Sequence, residues 1–238
     1  MILTAHQPQY LPGLRLFHKI SCADRFIIFD VAQFERHSFE NRNTILTSNG
    51  PLTLTVPVES KGHLEKTGGE IRVAQDGRWQ SKHVRSIEMA YRRAPFFNDY
   101  FQSIKRLIEI PEQDLLLQVN MNLLIMLMAA LGVKIWREEY ACKFRPAGYK
   151  SGLVLDLCKK VGATSYIFGA KGRSYADVKA FEAAGVRPHF QQYIPQPYKQ
   201  LHTKTFVPDL SVIDLLMNEG PRSLEIIMRG NETKDHYL

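Results

Sequence analysis

Apolar and polar positions alternate along the chain in two different periods. Ile2-Leu-Thr-Ala-His6 is short and apolar, and Pro8 and Pro12 around Tyr10 end it in a stiff loop, because each proline fixes its own φ and keeps the preceding residue out of the helical region. Leu14, Phe17, His18 and Ile20 to Cys22 then recur at helical spacing, and Arg25-Phe-Ile-Ile-Phe-Asp30 is a second apolar run ending in a carboxylate. The order predicts a βαβ unit with parallel strands. It places the His6 to Pro12 loop and Asp30 at the carboxyl edge of the sheet, where open α/β folds bind ligands.

The period changes after the polar stretch Gln33 to Asn43. Thr44 to Thr47 and Leu52 to Val58 flank Ser48-Asn49-Gly50, a hairpin signal, and Ile71 to Val73 is a candidate extra strand. Helical spacing follows at Trp79 to Arg92, Pro95 to Ile108 and Asp114 to Leu131, with Gly132 in the place of a C-terminal cap. Strands are then expected at Val133 to Trp136, Ser165 to Phe168 and Arg187 to Tyr193, with helices at Gly152 to Val161 and Tyr175 to Ala184. Ser211-Val-Ile-Asp214 has the form of a capping box before the last helices, which Gly220-Pro221 divides. Five strands in two alternating blocks predict a three-layer α/β fold with a mainly parallel, Rossmann-like sheet and an inserted β-hairpin and helical segment. One domain is expected over 1–238, with sheet halves at about 1–43 and 133–210 and an insertion at about 44–132.

Composition narrows the class without changing this picture. The 238 residues are 45% hydrophobic and 23% charged, which excludes disordered and low-complexity classes. Cys22, Cys142 and Cys158 are widely and irregularly spaced, which argues against a disulfide framework and a zinc site and suits a reducing cytoplasm. No metal-ligand spacing is present. No signal-like segment opens the chain, and the longest apolar run, Leu123 to Leu131, is about half of the roughly 20 residues a membrane span needs. A cytoplasmic protein without integral membrane association is expected. The net charge of +7 is uneven. Residues 143 to 205 hold eleven Lys and Arg against three acidic side chains, an excess that fits an anionic partner or a solvated basic face.

Three constellations carry candidate chemistry. In the first loop, His6 titrates near neutrality while Gln7 and Tyr10 orient by neutral hydrogen bonds; a packed loop with a carbonyl-bonded histidine has the same composition. In the second, Asp30 and Gln33 precede Asn41-Arg42-Asn43, where a guanidinium between two amides makes a fork for phosphate or carboxylate, or a turn before the hairpin. In the third, Gly169-Ala-Lys171-Gly-Arg173 follows a strand and opens a helix, so glycine backbone, cations and a helix start favour an anion. It matches neither of the familiar phosphate-loop or dinucleotide patterns. Weaker candidates are Trp79, Lys82 and His83 at a helix start, and the aromatic set His189, Tyr193, Tyr198 and His202.

These residues resemble a known family. His6-Gln-Pro-Gln-Tyr10-Leu-Pro12, Ala23-Asp24, Asp30 with Gln33-Phe34, Asn41-Arg42-Asn43, Lys82-His83, Tyr91, Tyr166 to Gly169, Tyr198 and Leu210 to Asp214 with Asn218 are similar to the signature of the bacterial WbqC-like proteins across nearly the whole chain. The chain departs from the pattern at Gly13 and Arg15. The resemblance implies a role in O-antigen and other surface lipopolysaccharide synthesis, as a transferase that acylates a nucleotide-linked amino sugar with glycine or a related aminoacyl group. It implies His6, Asp30 and Tyr10 in catalysis, and Gln7, Gln33, Asn41, Arg42, Asn43, Lys82, His83, Gly169, Lys171, Arg173 and Tyr198 in substrate binding. The partners are an anionic small molecule and an aminoacyl donor on RNA or a carrier; the cofactor is unknown. The strand, histidine loop, helix and strand also look like those of adenylate-forming nucleotidyltransferases, without their paired-histidine motif. An ATP-dependent ligase and a non-enzymatic RNA- or saccharide-binding protein are the alternatives.

Overall fold

The computed structural model describes the whole chain apart from residues 36–37, 60–61, 63–64, 76–77, 111–112 and 135–137. Its centre is strand β1 (Ile2–His6), which pairs in parallel with β2 (Arg25–Ile28) on one side and β5 (Ser165–Phe168) on the other. Beyond β5 lies β6 (Arg187–Phe190), so the strand order is β2-β1-β5-β6 and all pairings are parallel. Helix α1 (Leu14–Ser21) returns the chain from β1 to β2. A pleated strand sends alternate residues to opposite faces. Leu3 and Ala5 accordingly join Ile27, Val154, Leu157, Phe168 and Phe181 in one core layer, while Phe26 and Ile28 pack with Leu16, Phe17 and Ile20 of α1 in the other. This is the three-layer α/β fold that the alternating periods predict.

The insertion is built from the hairpin β3 (Arg42–Thr47) and β4 (Gly50–Thr55) and from helices α2 (Trp79–Tyr91), α3 (Phe97–Ile108) and α4 (Leu116–Leu131). Apolar side chains surround much of α4, which runs through the helical core and ends at Gly132 with φ +70°, the left-handed cap that glycine adopts without strain. Helices α5 (Ser151–Val161) and α6 (Val178–Ala183) cover the sheet, and α7 (Val212–Glu219) and α8 (Ser223–Met228) close the chain.

Several sequence expectations need correction. The expected strand at Val133 to Trp136 is absent at Val133 and Lys134, and its remaining residues lie outside the described ones. Among the described residues, the sheet gains beyond β2 a single bridge from Tyr140 to Ile28, where the Glu139 carbonyl accepts the Ile28 N–H at 2.8 Å and Arg25 grips the Glu139 carboxylate through two nitrogens at 2.6 Å. Apolar content alone does not make a strand without a partner along its length. Ile71 to Val73 likewise forms single bridges, Val73 to Val58 and Arg72 to Leu115. Helix α6 starts three residues later than expected, because residues 170–174 form a 3-10 turn first.

Asp214 does not close a capping box. Ser211 caps α7 through Ile213 N, whereas Asp214 is 1% exposed and accepts hydrogen bonds from the Tyr91 hydroxyl (2.9 Å), the Tyr198 hydroxyl (2.7 Å) and the Gln200 amide (3.2 Å). The Tyr91 oxygen in turn accepts the Leu46 N–H at 3.1 Å, so one buried carboxylate ties α2, β3, α7 and the 198–200 segment together. Removing an acceptor that three donors share leaves buried polar groups unpaired. Asp214→Ala is expected to lower stability by about 3 kcal/mol, read as a shifted urea midpoint; a midpoint within error of the parent protein would mean that the network is dispensable.

Candidate functional site

Strand β1 connects to β2 on one side and β5 connects to β6 on the other. The two crossovers diverge between β1 and β5, and in an open parallel sheet the crevice at that switch point lies outside the carboxyl ends of the strands. The residues that follow β1 and β5 are His6-Gln7 and Gly169-Ala-Lys171.

His6 lies deep in the protein yet keeps some access to solvent. Its Nδ1 is 2.9 Å from the Gln7 carbonyl; a carbonyl only accepts, so Nδ1 carries the hydrogen and Nε2 keeps its lone pair. Burial, with the positive end of Lys19 close by, lowers the imidazole to about 3. The ring is therefore neutral at physiological pH. Lys19 of α1 is itself 2% exposed, donates to the Ala5 carbonyl at 3.2 Å, and is lowered to about 7 by burial. Gln7 reaches toward residues 33–40, and its amide donates to the Gln33 carbonyl and to Glu40 Oε1, each at 3.3 Å.

Glu40 is 3% exposed. Oε1 also accepts from the Glu35 N–H at 3.2 Å and the Ser38 hydroxyl at 3.4 Å, while buried Oε2 has no partner. Burial, together with the charge of Glu35, raises this carboxyl to about 7. Oε2 occupies space that exists because residue 68 is glycine: a Cβ there would stand 2.7 Å from it. The turn Gly68–Glu70 is locked by Thr67, whose N–H and hydroxyl both donate to Glu70 Oε2 at 2.9 and 2.8 Å. Backbone bonds from Phe34 to Lys66, Gly68 to Ala32 and Gly69 to Asp30 pin this turn along residues 30–34. The Asp30 carboxylate beneath it accepts the Cys142 N–H at 3.0 Å.

Across the switch point, Gly169 starts the 3-10 turn 170–174 in extended conformation. Gly172 allows that turn to press on Phe168, since a Cβ would stand 2.5 Å from the Phe168 Cβ. Lys171 is exposed, and Arg173 lies over the Phe190 ring at 4.7 Å. Burial and then the charge of Glu35 push the Tyr175 phenol up. His6, Gln7, Asp30, Gln33, Gly169 and Lys171 are thus brought to one sheet edge.

The other candidates go elsewhere. Tyr10 is fully buried against Trp79, and its hydroxyl bonds to His83 Nδ1 at 2.8 Å. Burial raises the phenol and lowers His83 to about 4, the imidazole's other bond going to the Thr55 backbone. Both therefore serve the core. Asn41 and Asn43 do not flank Arg42 as a fork: their amides donate to the Val56 carbonyl (2.9 Å) and the Leu11 carbonyl (2.7 Å). The second bond supports Leu11 at φ +43°, a left-handed conformation costly for a leucine. Arg42 begins β3 half-buried, Lys82 is exposed on α2, and Tyr198 points at Asp214. Sequence reasoning missed Lys19, Glu40 and the Gly68-Gly69 pair. Adjacent glycines before a glutamate were the one available signal, while a lysine or glutamate within a polar pattern gives none.

A family model described as the WbqC-like protein family matches residues 7–226. The chain belongs to that family. It is 32% identical over 216 residues to "Uncharacterized protein Rv1507c" of Mycobacterium tuberculosis (strain ATCC 25618 / H37Rv), covering 90% of this chain and 92% of that one. No solved structure matches it significantly. Among the described residues of this WbqC-like chain, no helix is long and apolar enough to cross a membrane, and no group of three or more His, Cys, Asp or Glu is placed to hold a metal.

The raised Glu40 carboxyl has a consequence for stability. Between about 4.5, its ordinary value, and about 7 the folded chain holds a proton that the unfolded chain releases, so its contribution to stability is full below about 4.5 and is lost as pH rises through about 7. Glu40→Gln keeps the neutral form at every pH. It is expected to gain on the order of 1 kcal/mol over the parent protein at pH 8 and little at pH 5, measured by thermal unfolding. An equal effect at both pH values would contradict a buried, ionising Glu40.

Proposed function

We propose that this WbqC-like chain is an acyltransferase that transfers glycine or a related aminoacyl group to the amine of a nucleotide-linked amino sugar, in bacterial surface-polysaccharide synthesis of the O-antigen kind. The observation that carries this reading is the neutral imidazole of His6 at the switch point, with the exposed cation Lys171 in the turn that follows the neighbouring strand β5. Acylating an amine requires an acceptor for its proton, which a charged histidine is not, and an anionic sugar nucleotide requires a positive wall.

In this reaction the amine nitrogen attacks the acyl carbon, the new C–N bond forms and the bond to the donor's leaving group breaks. The amine proton passes to His6 Nε2 and from there to the leaving group. The Gln7 carbonyl holds the tautomer that leaves Nε2 free, and burial, reinforced by the charge of Lys19, keeps the ring uncharged until an anionic substrate offsets that field. The Gln7 amide and Gln33 orient the sugar, Lys171 and Arg173 attract its diphosphate, and Asp30 with the Gly68–Glu70 turn shapes the near wall. Tyr10, given a catalytic role by the family signature, instead supports the loop from within the core.

The test is to incubate the full chain with amino-sugar nucleotides and candidate donors, namely aminoacylated transfer RNA, carrier-bound glycine, and glycine with ATP, and to look for an acyl mass increase. His6→Ala is expected to lower kcat by about 100-fold or more, and the double substitution Lys171→Gln, Arg173→Gln to act mainly on KM. Absence of product with every donor, or full activity in His6→Ala, would overturn the reading.

A further inference from the structure

The segment after β6 forms a second concave surface that the crevice chemistry leaves unused. Residues 197–206 curve round a cavity of about 800 Å³, within the range that holds a single small ligand. His6, Asp30 and Lys171 are not among its lining residues.

The shape of this loop is imposed from below. Tyr198 and Gln200 hang from the buried carboxylate of Asp214. The Gln200 side chain also closes the loop, its amide donating to the Val207 carbonyl at 2.9 Å and its carbonyl accepting the Val207 N–H at 2.8 Å. His202 Nε2 is 2.6 Å from the Ala90 carbonyl on α2, so that nitrogen donates and the ring is anchored. With residues 198, 200 and 202 tied to the core, Lys199 and Lys204 are left exposed while lining the cavity, and neither has an ion-pair partner among the described residues. Phe206 packs edge-on to Tyr198, ring centres 5.3 Å apart, and supplies an apolar wall.

Negative groups nearby do not cancel the cations. Asp214 is buried and its oxygens are taken by three donors. Glu219 accepts the Lys199 backbone N–H at 3.3 Å and faces Arg222 at 3.7 Å. An open cup with two unpaired ammonium groups and an aromatic edge has the chemistry to recognise adjacent negative charges attached to a ring. A concavity formed within one short loop suits a small molecule better than a polymer, which needs an extended positive track.

We propose that the 197–206 loop is a binding site for a nucleoside diphosphate or a closely related phosphorylated ring compound, with Lys199 and Lys204 on the phosphates and the Tyr198–Phe206 edge against the ring. The site stands independently of the acyl-transfer reading. Isothermal titration of the full chain with UDP, inorganic pyrophosphate and a short single-stranded RNA tests it. UDP and pyrophosphate are expected to bind, each about tenfold or more weaker to Lys199→Gln, Lys204→Gln, whose thermal unfolding should match the parent because both side chains are exposed. Phe206→Ala should weaken UDP by about tenfold and leave pyrophosphate unchanged. Retention of parental UDP affinity in the double-lysine variant overturns the proposal, as does loss of UDP binding only in Lys171→Gln, Arg173→Gln. Lysine-dependent RNA binding without UDP binding overturns it in favour of a polyanion.

Discussion

The parallel pairing of β1 with strands on both sides is the constraint on which the rest of the molecule depends. A parallel partner cannot be reached by a tight turn, so α1 must cross from β1 to β2, and the chain must travel through the whole insertion and α5 before β5 can pair with the other edge of β1. Because the two connections leave in opposite directions, the end of β1 lies at the switch point between them. His6 is therefore the last residue of a central strand and stands at that switch point. Thr4 reinforces this junction by donating its hydroxyl to the Ile167 carbonyl at 2.9 Å.

The polar residues that make the chain distinctive act largely as clamps between distant backbone segments. Asn43 holds the carbonyl of strained Leu11, Asn41 holds Val56, Asn120 of α4 holds the Glu40 carbonyl at 2.8 Å, and Asp214 gathers three elements. A buried side-chain amide or carboxylate contributes about 1 kcal/mol when paired and costs more than that when its partner is lost. Such groups consequently specify one arrangement of loops more than they add net stability. Among the described residues, Glu40 Oε2, Gln80 Oε1 and Asn120 Oδ1 are buried amide or carboxylate oxygens left without a partner.

Electrostatics divides the molecule into two kinds of site. Around His6, three buried groups are moved toward their uncharged forms, His6 and Lys19 downward and Glu40 upward, each chiefly by desolvation. The 197–206 loop is the opposite: its cations are exposed, and only its anchors are buried. The basic excess between 143 and 205 is thus spread over several surfaces and includes a defined cavity.

The alternation of apolar periods was enough to place β1, α1, β2, the hairpin, the helical insertion and the β5-α6-β6 unit, because amphipathic spacing is a local property that burial then selects. It also identified His6, Asp30 and the Gly169 loop as edge residues, since the ends of predicted parallel strands lie at one edge. Which polar side chains face the crevice was not legible. Tyr10 and His83 read as chemistry but pair with each other in the core, and Asn41 and Asn43 read as a ligand fork but bind carbonyls contributed by other segments. Lys19 and Glu40 carry no signal in the sequence, yet long-range packing buries them. Sequence patterning by itself determined the elements and the sheet edge on which the site is built. Only the tertiary structure decided the membership and protonation of that site, because both depend on desolvation by segments remote in the chain.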